Sequence, residues 1–167
     1  MLFISHRGNL NGPIPERENS PQYIDEALAA GFHVEVDVFV DSSGKIWLGN
    51  KSAVLQWSVP YGWLQDRAEH LLLHLKNTEA TNLFSSTYTS WHFFCNEKDP
   101  YSLTSKGYIL YWSRNVKKDT VNKYCLLPFI EKETLWKYSR LIPSAGGVIS
   151  DYIKPLKELN DINLASR

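Results

Sequence analysis

The sequence predicts an α/β fold: a compact (β/α)8 TIM barrel with reduced or missing outer helices. Short apolar runs of strand length alternate with helical segments, which is the pattern of parallel strands joined by crossovers. Eight such runs can be read along the chain, and residues able to do chemistry fall near the ends of six of them. In a barrel of parallel strands the carboxyl ends are where functional groups gather. At 167 residues the chain is short for this architecture, which usually needs at least about 200. Several outer helices must therefore be loops.

The first strand is expected at Leu2 to Ser5, followed by His6 and Arg7. Next comes the clearest helix, Ser20 to Gly31. Ser20 suits the N-cap, Pro21 the first helical position and Gly31 a left-handed stop, while Ile24, Ala27 and Leu28 form one apolar stripe. Further strands are expected at His33 to Val40, Ile46 to Gly49, Leu71 to Lys76, Tyr88 to Phe93, Tyr108 to Tyr111, Tyr124 to Leu127 and Gly147 to Ile149. Weaker helical segments follow Val59, Asn77, Glu131 and Asp151. No linker or repeat divides the chain, so residues 1–167 are expected to form one domain.

Composition excludes some classes of function. Lys+Arg and Asp+Glu balance at 18 each, so no bulk field favours nucleic acid or an anionic membrane. No run of about 18 apolar residues could span a bilayer. A strand directly after Met1 leaves no room for a signal peptide, and Cys95 and Cys125 suit a reduced interior; a cytoplasmic protein is expected. The oligomeric state is not legible. Most of the 6 Trp and 9 Tyr are expected to pack a core or a barrel mouth, with one or two lining a ligand pocket.

Glu35 and Asp37 are the most informative residues. They lie two apart in His33-Val34-Glu35-Val36-Asp37-Val38-Phe39-Val40, hence on one face of a strand otherwise built for burial. An unpaired buried carboxylate costs several kcal/mol, and two side by side repel. A divalent cation with hard oxygen ligands removes both penalties; a network of salt bridges is the alternative. Near them in a barrel would fall His6 and Arg7 after the first strand, Asn50 after the third, His74 and Lys76 at the end of the fourth, His92 late in the fifth and Asp151 after the last.

These residues also carry a resemblance. Ile4-Ser5-His6-Arg7-Gly8, Glu18-Asn19-Ser20-Pro21 and Ala29-Ala30-Gly31, leading into Glu35-Val36-Asp37-Val38, resemble the amino-terminal signature of glycerophosphodiester phosphodiesterases. That family is grouped with the phosphatidylinositol phospholipase C-like and sphingomyelinase D-like barrels. After residue 50 the likeness thins to Leu73-His74-Leu75-Lys76-Asn77, Thr104-Ser105-Lys106-Gly107-Tyr108 and Ser150-Asp151-Tyr152. The resemblance implies metal-assisted cleavage of a small phosphodiester, such as a glycerophosphodiester or a lipid headgroup ester. Glu35 and Asp37 would hold Mg²⁺, or else Mn²⁺ or Ca²⁺. Arg7 would grip the phosphate as a bidentate donor, and Lys76 would add positive charge there. His6 would be one of two acid/base histidines. Glu18 and Asn19, with Asp151, would brace the site.

The chain departs from that pattern twice. Where the family carries its second catalytic histidine, this sequence reads Trp47-Leu48-Gly49-Asn50-Lys51. Asn50 can hydrogen-bond a phosphate but cannot shuttle a proton. His74 stands where many members carry a metal-binding glutamate, and imidazole favours softer ions than Ca²⁺. His92 is the candidate replacement acid/base, with a packed core histidine as the alternative; His33 is expected to be a core residue, and Lys51 a solvated charge. Two functions follow: a phosphoric diester hydrolase impaired by Asn50, or an inactive barrel that binds a phosphate-containing ligand.

Overall fold

The computed structural model describes residues 1–49, 56–87, 90–95, 99–112, 116, 118–130, 132–133 and 139–165. In chain order the elements are β1 (Leu2–His6), α1 (Pro21–Ala29), β2 (His33–Val40), β3 (Ile46–Leu48), β4 (Trp57–Val59), α2 (Tyr61–Gln65) and β5 (Leu71–Leu75). They continue with α3 (Thr78–Ser85), β6 (Phe93–Phe94), β7 (Tyr101–Leu103), β8 (Ile109–Tyr111), β9 (Cys125–Pro128), β10 (Gly147–Ser150) and α4 (Ile153–Ala165). The capping expected for α1 is present. Ser20 Oγ accepts from the Tyr23 N–H, and Gly31 takes φ +85° just past the helix end. Asn77 does the same for α3, accepting from the Ala80 N–H.

The strands form one ten-stranded sheet. Its parallel part runs β6-β5-β2-β1-β10-β9-β8. This arrangement corrects the expected eight-stranded barrel. Ile46–Leu48 is not a crossover strand; it folds back antiparallel on β2, and β4 pairs antiparallel with it. A parallel connection needs a dozen or more residues, and only 41–45 separate β2 from β3. Asp41 fixes that turn by accepting from the Ser43 and Lys45 N–H groups and from the Trp47 indole. At the other edge, β7 pairs antiparallel with β8.

Strand pairing does not close the sheet into a barrel among the described residues. Between β6 and β8 the join is a turn: Ser105 N–H donates to Phe93 O (2.8 Å), and Ser105 Oγ accepts from Phe93 N–H (2.9 Å). The expected strand at Tyr88 to Phe93 is displaced, because β6 begins only at Phe93 and residues 88–89 lie outside the described set. The helix expected after Glu131 also falls mostly outside it.

Alternation in the strands sorts side chains between two faces. On one face Val34, Val36, Val38, Leu71, Leu73 and Leu75 pack under α1, α2 and α3 against Ile24, Ala27, Leu64, Ala80 and Phe84. A second cluster joins Leu127 and Val148 to Ile153 and Leu156 of α4. The opposite face carries a smaller apolar layer of Ile4, Leu72, Phe94, Leu110, Leu126 and Ile149. His6, Glu35, Asp37 and His74 share that face, toward the carboxyl ends of β1, β2 and β5. No described helix is long and apolar enough to cross a membrane, and both cysteines are free thiols.

Candidate metal and phosphate site

Strand register assembles the site. His6 on β1 is level with Glu35 on β2, and Asp37 on β2 is level with His74 on β5. Four residues from three strands thus become lateral neighbours on one face. Glu35, Asp37 and His74 are all buried, and each offers a ligand atom within 4.8 Å of the others. His74 Nδ1 lies 3.0 Å from Asp37 Oδ1 and 3.5 Å from Glu35 Oε1. Behind it, the imidazole stacks on Phe94 at 4.3 Å.

The loop after β1 wraps this group with its own network. Arg7 takes φ +56° and Asn19 φ +60°, and such left-handed backbone costs a non-glycine residue about 1–3 kcal/mol. The surroundings hold both. Arg7 N–H donates to Glu35 O (2.9 Å) and Asn19 N–H to Arg7 O (3.0 Å). Gly8, at φ +93°, lies so close to Tyr23 that a Cβ would sit 2.8 Å from its ring. Arg7 then reaches Glu18 Oε2 through Nη1 (3.2 Å) and places Nε 2.9 Å from Asp37 Oδ2, an ion pair without hydrogen-bond alignment. Asn19 bonds Asp37 twice, accepting from its backbone N–H (3.0 Å) and donating to its carboxylate (3.4 Å). Lys76 Nζ is 3.6 Å from Asp37 Oδ1.

His6 is held on its other side. Its Nδ1 is 2.7 Å from Asp151 Oδ1. A carboxylate only accepts, so Nδ1 carries a hydrogen and Nε2 is left facing Glu35 Oε2 at 3.8 Å. Asn9 ties the assembly together, donating to Glu18 (2.9 Å) and to Asp151 (2.8 Å) while accepting from Ile14 N–H. Asn9 was not among the residues singled out from the sequence. Its position beside the His6-Arg7-Gly8 turn was the available signal.

Electrostatics follow from these contacts. Burial alone would push His74 down, but Asp37 and Glu35 outweigh it and raise its pKa to about 9. His6 is likewise raised, burial being overcome by Asp151 and then Glu35. For Asp37, burial is overcome by His74, Arg7 and Lys76, which hold its carboxyl well below the usual carboxylate range. Even so, Glu35 Oε2 and Asp37 Oδ1 are buried and accept no aligned hydrogen bond, their contacts with His6, His74 and Lys76 being ionic. Two buried carboxylate oxygens beside an imidazole nitrogen form a donor set that could hold a divalent metal ion. Binding an ion there requires His74 to give up its proton.

A cavity of about 280 Å³ is lined by His6, Arg7, Glu35 and His74 together with Phe94, Trp112, Pro128, Ile130 and Ile149. Of the residues expected at the site, the structure brings together His6, Arg7, Glu18, Asn19, Glu35, Asp37, His74, Lys76 and Asp151. Asn50 and Lys51 lie outside the described residues. His92 does not line this cavity and is buried, the second of the two places the sequence left open for it. It precedes β6 rather than ending a strand, shares a hydrogen bond with Thr104 Oγ1 (3.0 Å) and tilts against Tyr108.

Among solved structures, the chain is similar to the crystal structure of a glycerophosphodiester phosphodiesterase from Thermotoga maritima, at 14% identity and a TM-score of 0.48, covering 95% of this chain and 98% of that chain. No protein-family model and no curated protein matches the chain.

Proposed function

We propose that the chain is a divalent-metal-dependent phosphodiester hydrolase. One observation carries this reading: of a buried Glu35–Asp37–His74 donor set, Glu35 and His74 line a cavity together with a carboxylate-held histidine and a guanidinium. The sequence motifs around His6, Glu18 and Glu35 support it independently. A divalent ion held by Glu35, Asp37 and His74 would polarise a non-bridging phosphoryl oxygen. Arg7, oriented by Glu18 and Asp37, binds the phosphate anion, and Lys76 adds positive charge beside it. Asp151 fixes the tautomer of His6 so that the exchangeable proton sits at Nε2. A water oxygen bonds to phosphorus, the bond to the leaving alcohol breaks, and the departing oxygen takes the Nε2 proton. The proton lost by the attacking water restores His6.

With Asn50 in place of a second acid/base group, diesters with good leaving groups are expected to be cleaved best. The test compares bis(p-nitrophenyl) phosphate with dialkyl phosphates in Mg²⁺, Mn²⁺ and Ca²⁺, before and after chelation. Metal-dependent release of p-nitrophenolate, lost in His6→Asn, is the expected result; inertness of the activated diester with every ion sinks the hydrolase reading. One observation favours a second reading: among the described residues, His6 is the acid/base histidine at the cavity outside the metal set. A barrel-like binding protein for a phosphate ligand would be stabilised by glycerol phosphate plus metal, in proportion to ligand concentration and without turnover.

A further inference from the structure

The cavity is lined by two chemically different groups of side chains. One comprises His6, Arg7, Glu35 and His74; the other comprises Phe94, Trp112, Pro128, Ile130 and Ile149. The apolar group has no side-chain hydrogen-bonding group to spare. Its indole N–H belongs to Trp112, which donates it to Ser102 Oγ at 2.9 Å and is thereby turned away from a ligand. Phe94 is held between His74 (4.3 Å) and Trp112 (5.7 Å), so its ring is fixed. Trp112, Pro128 and Ile130 are only half-buried, leaving apolar surface in contact with water at the mouth of a charged site.

We infer that this apolar lining is a subsite for an apolar ester alcohol, alkyl or aryl, on the phosphodiester. The inference rests on the phosphate-binding reading above and adds to it the class of one substituent. A polyol such as glycerol would bring hydroxyls against this lining, and hydroxyls stripped of water without partners are costly. A hydrocarbon group instead removes apolar surface from water on both sides of the contact. Size agrees: roughly 150 Å³ of apolar cavity suffices for benzene, and the 280 Å³ here leaves room for a phosphate against Arg7.

The test measures affinity of the unaltered chain, with Mn²⁺ present, for inorganic phosphate, glycerol phosphate, phenyl phosphate and hexyl phosphate. Phenyl or hexyl phosphate is expected to bind at least about tenfold tighter than glycerol phosphate, the gain of burying a few methylene equivalents. The phenyl and hexyl arms distinguish a flat aryl group from a lipid-like chain. In Ile130→Ser the ratio should fall toward one. Equal or tighter binding of glycerol phosphate overturns the inference. Failure of inorganic phosphate to bind overturns the phosphate reading itself, so the two failures are told apart. The ligand series on the unaltered chain decides the matter even if the variant does not fold.

Discussion

The two ends of the parallel strands carry histidines with opposite chemistry. At the carboxyl end, His6 and His74 face Asp151, Glu35 and Asp37, and both are raised. Toward the amino end, His92 and His33 are lowered, His92 to about 4. Burial pushes all four downward. What differs is the neighbourhood: carboxylates at one end, Lys106 and another histidine at the other. The residue type is the same, so its surroundings decide which way its pKa moves. Imidazoles raised by carboxylates, a guanidinium and two buried carboxylates thus meet at one end, whereas at the other end the imidazoles are lowered.

The sharpest way to break this contrast is to remove a carboxylate. Asp37→Asn takes away the group that contacts Arg7, His74 and Lys76 together. Metal-dependent hydrolysis of an activated diester is expected to fall at least about 10²-fold, as for loss of a key acid/base or metal-orienting group. The rise in melting temperature produced by Mn²⁺ should vanish with it. An undiminished Mn²⁺ shift would show that Asp37 is no ligand. The control at the opposite end is His92→Gln, which should leave the metal shift in place.

Asp151→Asn gives a smaller effect. The amide can still meet Nδ1 but no longer requires a hydrogen there, so His6 loses its fixed tautomer. A rate loss of about 10- to 100-fold is expected, smaller than for direct loss of an acid/base group. Metal affinity should be retained, because Asp151 is not in the metal set. A variant that loses both would place Asp151 at the ion instead.

How much of this was legible follows from the same geometry. The spacing of Glu35 and Asp37 put both on one strand face, and that inference needed no partner. Pairing His6 with Glu35 and Asp37 with His74 required the register of three strands, which the resemblance supplied and alternation alone did not. The third expected barrel strand was misplaced although the signal existed: the link at 41–45 is too short for a crossover. The place of His92 was left open between two readings for a different reason. The aromatic run from Tyr88 to Phe94 has no period to mark where a strand starts, and β6 begins one residue after His92 rather than ending near it. Asn9 was missed because its role depends on loop closure, bringing Glu18 and Asp151 to one amide.

The smallest expected effect sharpens the comparison from the floor of the sheet. His92 is buried, shares its Nε2 hydrogen bond with Thr104, and faces Lys106 and His33 rather than any carboxylate. Thr104 Oγ1 accepts from the Tyr108 N–H (3.1 Å), and its own hydrogen is able to bond a neutral imidazole. Burial, then Lys106 and His33, lower the folded pKa to about 4, against an unfolded value near 6.5. Protonation therefore favours the unfolded chain. The stability contributed by neutral His92 is fully present above about pH 6.5 and is lost as pH falls toward and through about 4, by up to about 3 kcal/mol. Denaturant unfolding between pH 7 and 4 measures it. His92→Gln, which keeps an amide for Thr104 but cannot titrate, should flatten that part of the profile. An unchanged slope would mean that the acid sensitivity lies elsewhere, and that the two ends of the strands differ less in charge than their neighbours imply.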